Sequence, residues 1–284
     1  MAAWQIRVMG QERIRSRAYG AIDMPDVWWP IFGCLVCSLP RSLSRCALAG
    51  RLWPECDDQS ARHCLSTALW RIRSRLPAGQ ELIRIEPDSI RLCFSAFDWV
   101  DAIAFEQRAQ AALQSPSRLK SARERLRLRN AVAAYVGPFL EGRDDDTIVL
   151  ERERLRTLYL DALFALALAE MEEGNWQGAR AAAQRLCAIE PLREDAQRLL
   201  MSAYVECGSR GLAISQYRTL VATLRDELGI SPMLETQQLA AEISRTEAPA
   251  APCVSPLADS HDGALREVQQ HLRDSLALID SALS

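Results

Sequence analysis

Arg51-Leu52-Trp53-Pro54-Glu55, followed by Ser60-Ala61-Arg62-His63-Cys64-Leu65-Ser66-Thr67-Ala68-Leu69-Trp70-Arg71-Ile72-Arg73-Ser74-Arg75-Leu76, is the stretch on which the fold turns. Pro54 stops a short helix, and a longer amphipathic helix follows. Ala61, Leu65, Ala68, Leu69, Ile72 and Leu76 recur at the three- and four-residue spacing of one apolar face. At 3.6 residues per turn, His63, Ser66, Thr67, Trp70 and Ser74 fall on the opposite face. Arg62 and Arg73 flank one side of that face and Arg71 the other. Asp57 or Asp58 supplies a carboxylate to cap the helix N-terminus. An ordinary surface helix also carries Arg outside, so the neighbouring elements have to decide between the two readings.

Downstream, Glu81–Glu86 and Ile90–Phe94 are short apolar or alternating runs separated by Pro87-Asp88-Ser89, which predicts a hairpin. Upstream, Trp4–Val8 predicts a strand, Asp26–Leu39 a buried helix and Ser44–Trp53 a short helix with Ser44 at its N-cap. Pro30 falls in the first turn of the buried helix, where its missing N–H costs little. Strand, three helices and hairpin is the order of a winged helix. Its second turn-motif helix, Asp58–Leu76, carries side chains suited to phosphates and base edges. The candidate base contacts are Arg62, His63, Ser66, Thr67, Trp70 and Arg73. Arg71 on the helix, with Arg84 and Arg91 on the wing, suit backbone phosphates.

The charge distribution agrees. Residues 1–97 hold 13 Arg against 9 acids, whereas 98–245 hold 18 Arg and one Lys against 22 acids. Only the first section is basic, which suits nucleic-acid contact there and argues against the whole chain coating nucleic acid. A length of 284 residues suggests about two domains, and 49% apolar content can bury a core. The apolar run Trp28–Leu39 contains Pro and Gly and is too short to span a bilayer. The N-terminus lacks a signal-peptide pattern, so a cytoplasmic location without membrane partners is expected. Nine Cys should then be reduced. Cys34 and Cys37 have metal or redox spacing, but they lie inside an apolar helix without a second pair and read as small core residues.

From Asp98 to Arg245 the pattern is helical: Val100–Leu113, Arg118–Tyr135 and Thr147–Glu173 carry apolar residues at helical spacing. Two helix pairs then repeat at 34 residues, the tetratricopeptide length: Leu166 aligns with Leu200, Gly174 with Gly208, Ala179 with Ala213 and Leu186 with Leu220. Residues 246–260 are rich in Ala, Pro and Ser and read as a linker. Residues 261–284 carry an apolar stripe (Leu265, Val268, Leu272, Leu276, Ile279, Leu283) on an acidic amphipathic helix. The expected fold is mainly α: a winged helix-turn-helix with a small β wing over 1–97, followed by an α-helical tetratricopeptide-like repeat domain over 98–245.

The chain resembles the SARP-type family of bacterial transcriptional activators over about residues 40–245. The marks are Leu52-Trp53-Pro54, Ala61–Leu65 running into Leu69–Arg73, Asp98-Trp99-Val100-Asp101 through Glu106, and Tyr135-Val136-Gly137-Pro138-Phe139-Leu140-Glu141-Gly142. Glu151–Leu155, Pro191–Ala196 and Asp226-Glu227-Leu228-Gly229-Ile230-Ser231-Pro232 follow. The resemblance implies an OmpR-type winged helix joined to a bacterial transcriptional activation domain. It also implies binding to promoter direct repeats in double-stranded DNA and recruitment of RNA polymerase holoenzyme. The family usually has Asn where His63 stands and a small or polar residue where Trp70 stands, and residues 1–40 fit it poorly.

Catalysis finds no support: the sequence has no phosphate-binding Gly-rich loop and no His-Glu-x-x-His, and His63, His261 and His271 are dispersed. Asp144-Asp145-Asp146 reads as the acidic start of a helix. The expectation is therefore a sequence-specific DNA-binding regulator, not an enzyme, without cofactor or metal, with a homodimer as a further partner state. The alternatives are a helical-repeat signalling adaptor whose winged helix makes protein contacts, and a metal- or redox-responsive regulator.

Overall fold

The chain opens as a sheet because its first residues alternate. In β1 (Trp4–Arg7) and β2 (Arg13–Ser16), Trp4, Ile6, Ile14 and Ser16 are buried while Gln5, Arg7, Arg13 and Arg15 are exposed. β3 (Gly20–Ile22) completes an antiparallel meander. β7 (Trp99–Val100) adds to the other edge parallel to β1, giving the order β3-β2-β1-β7. The computed structural model describes residues 4–245 except Leu39, Ala96 and Phe97. The linker and the amphipathic segment read from the sequence over 246–284 lie outside the described residues.

Three helices follow the meander. α1 (Trp28–Cys37) buries Trp28, Ile31, Phe32, Cys34 and Leu35, and Pro30 sits in its first turn as expected. β4 (Ser42–Ser44) leads into α2 (Arg45–Leu52), where the Ser44 hydroxyl accepts the Ala47 N–H at 3.1 Å. Ser44→Ala should cost about 1 kcal/mol, seen as a lower urea midpoint with an unchanged slope. α3 (Asp58–Arg75) comes next, then β5 (Ile83–Ile85) and β6 (Ser89–Leu92), with β4 beside β6 in a second sheet of order β4-β6-β5. The hairpin thus becomes a three-stranded wing. The sequence reading anticipated neither β4 nor the meander strands after β1. Each is only three or four residues long, too short for a period-2 signal to stand out.

The rest is helical: α4 (Asp101–Gln114), α5 (Ala122–Ala134), α6 (Asp146–Glu172), α7 (Trp176–Ile189), α8 (Glu194–Glu206), α9 (Arg210–Leu228) and α10 (Leu234–Arg245). The single helix expected over Arg118–Tyr135 is instead a 3₁₀ turn, Pro116–Lys120, followed by α5. The Arg125 guanidinium, donating to the Leu119 and Lys120 carbonyls at 2.8 and 2.9 Å, stabilises that break. Asp145 caps α6, accepting from the Thr147 and Ile148 N–H groups, which accounts for the acidic run there. The aligned repeat positions are buried alike: Leu166 and Leu200, Ala179 and Ala213, Leu186 and Leu220. Gly174 and Gly208 both take positive φ (75° and 72°) at the ends of α6 and α8. Phe105, Tyr135 and Tyr159 form an aromatic cluster where α4, α5 and α6 meet, with Tyr135 and Tyr159 stacked at 4.1 Å.

The sheet and the helical region are closely joined. The described residues up to Ala240 form one compact unit. The buried Asp101 carboxylate accepts the Val8, Met9 and Ala102 N–H groups at 2.8–3.1 Å, tying α4 to the end of β1. Burial lifts its pKa to about 6, with the three donors holding it back. The Leu140 N–H donates to the Val8 carbonyl and the Gly10 N–H to the Pro138 carbonyl. Arg143 holds both Glu12 and Asp26. α1 lies so close to the segment ahead of α6 that a Cβ on Gly33 would fall 2.5 Å from Leu140 Cδ1. Among the described residues no helix is long and apolar enough to cross a membrane.

Candidate nucleic-acid interface

α2 ends at Leu52 before Pro54, and Asp57 restarts the helix by accepting the Gln59 and Ser60 N–H groups at 2.9 Å each. Those donors hold the Asp57 carboxyl below its usual pKa. Ala61, Leu65, Ala68, Leu69 and Ile72 are buried and fix the rotation of α3, which packs against α2. The opposite face is open: Arg62, His63, Ser66, Trp70, Arg71, Arg73 and Ser74 are exposed and Thr67 is half-buried. Trp70 is 69% exposed, so its ring is not a core residue. α3 stops at Arg75 ahead of Pro77.

The wing brings the remaining candidates together. Arg84 and Arg91 stand directly opposite each other on β5 and β6, both exposed. Like charges in that register are destabilising, an arrangement better suited to an anionic ligand than to folding. Two carboxylates temper them: Glu86 pairs with Arg91 at 2.6 Å, and Glu81 lies 3.5 Å from both Arg84 and Arg73. Glu81 therefore links helix and wing. The 3.7 Å approach of Arg62 to the exposed Asp58 is too loose to hold that side chain.

Arg45 was not among the sequence candidates. Its guanidinium donates to Ser66 Oγ at 3.1 Å, and Ser66 in turn donates to the Arg62 carbonyl at 2.8 Å. An Arg directly after a Ser N-cap was the available signal. What it meets, 21 residues on, was not legible. Cys34 is buried with its thiol pushed up to about 12 by burial, and burial raises Cys37 as well, so neither is a ready thiolate.

The bacterial transcriptional activator domain profile matches residues 100–244, more than half of the chain. The chain belongs to the bacterial transcriptional activator domain family. Members of this family are transcription regulators and not enzymes, in agreement with the SARP-type resemblance carried by the motifs. A structure of EmbR from Mycobacterium tuberculosis in complex with a low-affinity phosphopeptide has the same fold, with a TM-score of 0.69 and 22% identity. The match covers 87% of this chain, which spans 66% of the length of that one. No curated protein matches the chain.

Proposed function

We propose that this family member is a sequence-specific DNA-binding activator that places α3 in the major groove, binds promoter direct repeats and recruits RNA polymerase holoenzyme. The observation that carries the reading is the free polar face of α3: cations, hydroxyls and one exposed indole over a buried apolar stripe, beside a wing with paired arginines. In this reading residues 1–97 hold the duplex and residues 98–245 meet the polymerase. Arg62, His63, Ser66, Thr67, Trp70 and Arg73 face base edges, and Arg71, Arg84 and Arg91 take phosphates. Direct readout by an Arg is worth roughly 1–3 kcal/mol per base.

The test is selection of bound duplexes from a random pool, followed by anisotropy titration of the selected and random sequences. A selected duplex bound at least about 1,000-fold more tightly supports the reading, and equal binding refutes it. Arg91→Ala should weaken all duplexes alike and lower the salt dependence by about one counterion, read from the slope of log K against log salt. Glu81→Gln should do the opposite of an Arg loss. It removes the carboxylate that competes for Arg73 and Arg84, so affinity for any duplex should rise several-fold in the same titration.

The exposed Trp70 favours a second reading, an adaptor whose winged helix docks on a protein, because exposed aromatics anchor interfaces. Retention on a DNA column until high salt separates the two.

A further inference from the structure

A second unneutralised cationic surface of the winged-helix region is the outer face of the N-terminal sheet. Arg7 on β1 and Arg13 and Arg15 on β2 all point outward, and Arg17, just beyond β2, is exposed too. Arg7 stands directly opposite Arg13, and Arg15 opposite Gln5. None of the four makes an ion pair or a side-chain hydrogen bond among the described residues. Arg7 only feels the field of the buried Asp101. On α3 and the wing, by contrast, Arg62, Arg73, Arg84 and Arg91 each have Asp58, Glu81 or Glu86 beside them. A shallow depression lined by Gln5, Arg15, Ser16, Arg17 and Gly20 indents the face.

Such a face works against folding, since like charges directly opposite on a ladder repel. An anion laid across it would remove that cost. Arg13 and Arg15 are alternate residues of β2, about 7 Å apart, Arg7 lies about 5 Å across from Arg13, and Arg17 follows in the turn after β2. A linear row of guanidinium forks fits a linear row of anions, as along a nucleic-acid strand, better than the irregular carboxylates of a protein surface. A four-stranded sheet, at about 4.8 Å between strands, is broader than a groove that admits a helix or a two-stranded ribbon, so its forks meet phosphates and not base edges. The sheet packs against α4 whereas α3 packs against α2, so the two basic faces belong to different layers.

We propose that the outer face of the β3-β2-β1-β7 sheet is a second DNA site that holds duplex phosphates without regard to sequence. The proposal rests on the DNA-binding reading of α3 and gives the same molecule a separate hold on flanking or neighbouring DNA. Four phosphate contacts should contribute a salt slope of about 3–4, at about 0.9 per contact.

The test uses the full chain saturated with an unlabelled selected duplex, titrated with a labelled random duplex over a salt series. Three forms are compared: the natural chain, Arg7, Arg13, Arg15 and Arg17 all →Gln, and the same four all →Lys. The natural chain and the Lys form should bind the second duplex with a slope of about 3–4, and the Gln form should not. The Gln form should keep its preference for the selected duplex, which also shows that it is folded. A second duplex bound equally by the Gln form, or not bound by the natural chain, overturns the proposal. So does an oligoglutamate peptide that binds this face where the duplex does not, which would assign the face to an acidic protein. Should α3 select no sequence, the random duplex is titrated onto the Arg62→Ala, Arg73→Ala form with and without the four Gln changes. The two faces are then judged separately.

Discussion

Gly10→Ala should lower stability by about 3 kcal/mol or more, although it adds one methyl group. Gly10 sits at φ 75°, where an L side chain costs roughly 1–2 kcal/mol by itself. Its Cβ would also fall 2.7 and 2.8 Å from the backbone N and Cα of Gly137. Neither atom is a flexible side-chain tip, so the backbone has to move. The movement falls on the seam where the Gly10 N–H meets the Pro138 carbonyl and Met9 bridges to Phe139. For a domain of this size about 3 kcal/mol corresponds to a Tm drop of roughly 6–12 °C. Gly20→Ala is the internal control. Gly20 has the same positive φ (76°) but nothing within 4 Å of a Cβ, so it should lose only the conformational part. Equal Tm losses for the two variants, by calorimetry, would show that the seam is not close-packed.

The second large effect concerns binding. The Arg62→Ala, Arg73→Ala double variant should lose about 100-fold or more in affinity for a selected duplex while keeping its Tm. Both side chains are exposed on the same flank of α3, and Arg73 is held only by a 3.5 Å approach to Glu81. Such exposed pairs contribute little to stability, whereas each base contact is worth about 1–3 kcal/mol. Affinity for random duplexes should fall less, because the wing and other phosphate contacts remain. A uniform fall for all sequences would make both residues phosphate contacts. No fall at all would remove them from the interface.

Much of this was legible in the residues because it is local. The period of Ala61, Leu65, Ala68, Leu69 and Ile72 fixed which side of α3 is buried. Ser44 marked one helix start and the Asp57-Asp58 pair the other, of which Asp57 is the cap, and the 34-residue offset marked Gly174 and Gly208. What stayed hidden depends on partners distant in sequence. The Gly10–Gly137 contact, the Asp101 carboxylate under the end of β1, and the β7 strand that joins the sheet edge are set by tertiary approach. No periodicity reports them. Arg45 illustrates the same limit at the interface: its type and exposure are ordinary, and only its bond to Ser66 brings it to the α3 face. Glu81 and Glu86 were read as strand ends, yet they set the charge that α3 and the wing present.

The most direct trial of α3 as the reading helix is methylation protection at guanine N7, an atom displayed in the major groove, on a selected duplex bound by the full chain. Protected guanines should appear within each repeat, and Arg62→Ala or Arg73→Ala should erase the protection at particular guanines while leaving the others. A protection pattern identical in the natural chain and both variants, or a bound duplex with no guanine N7 protected, would contradict it.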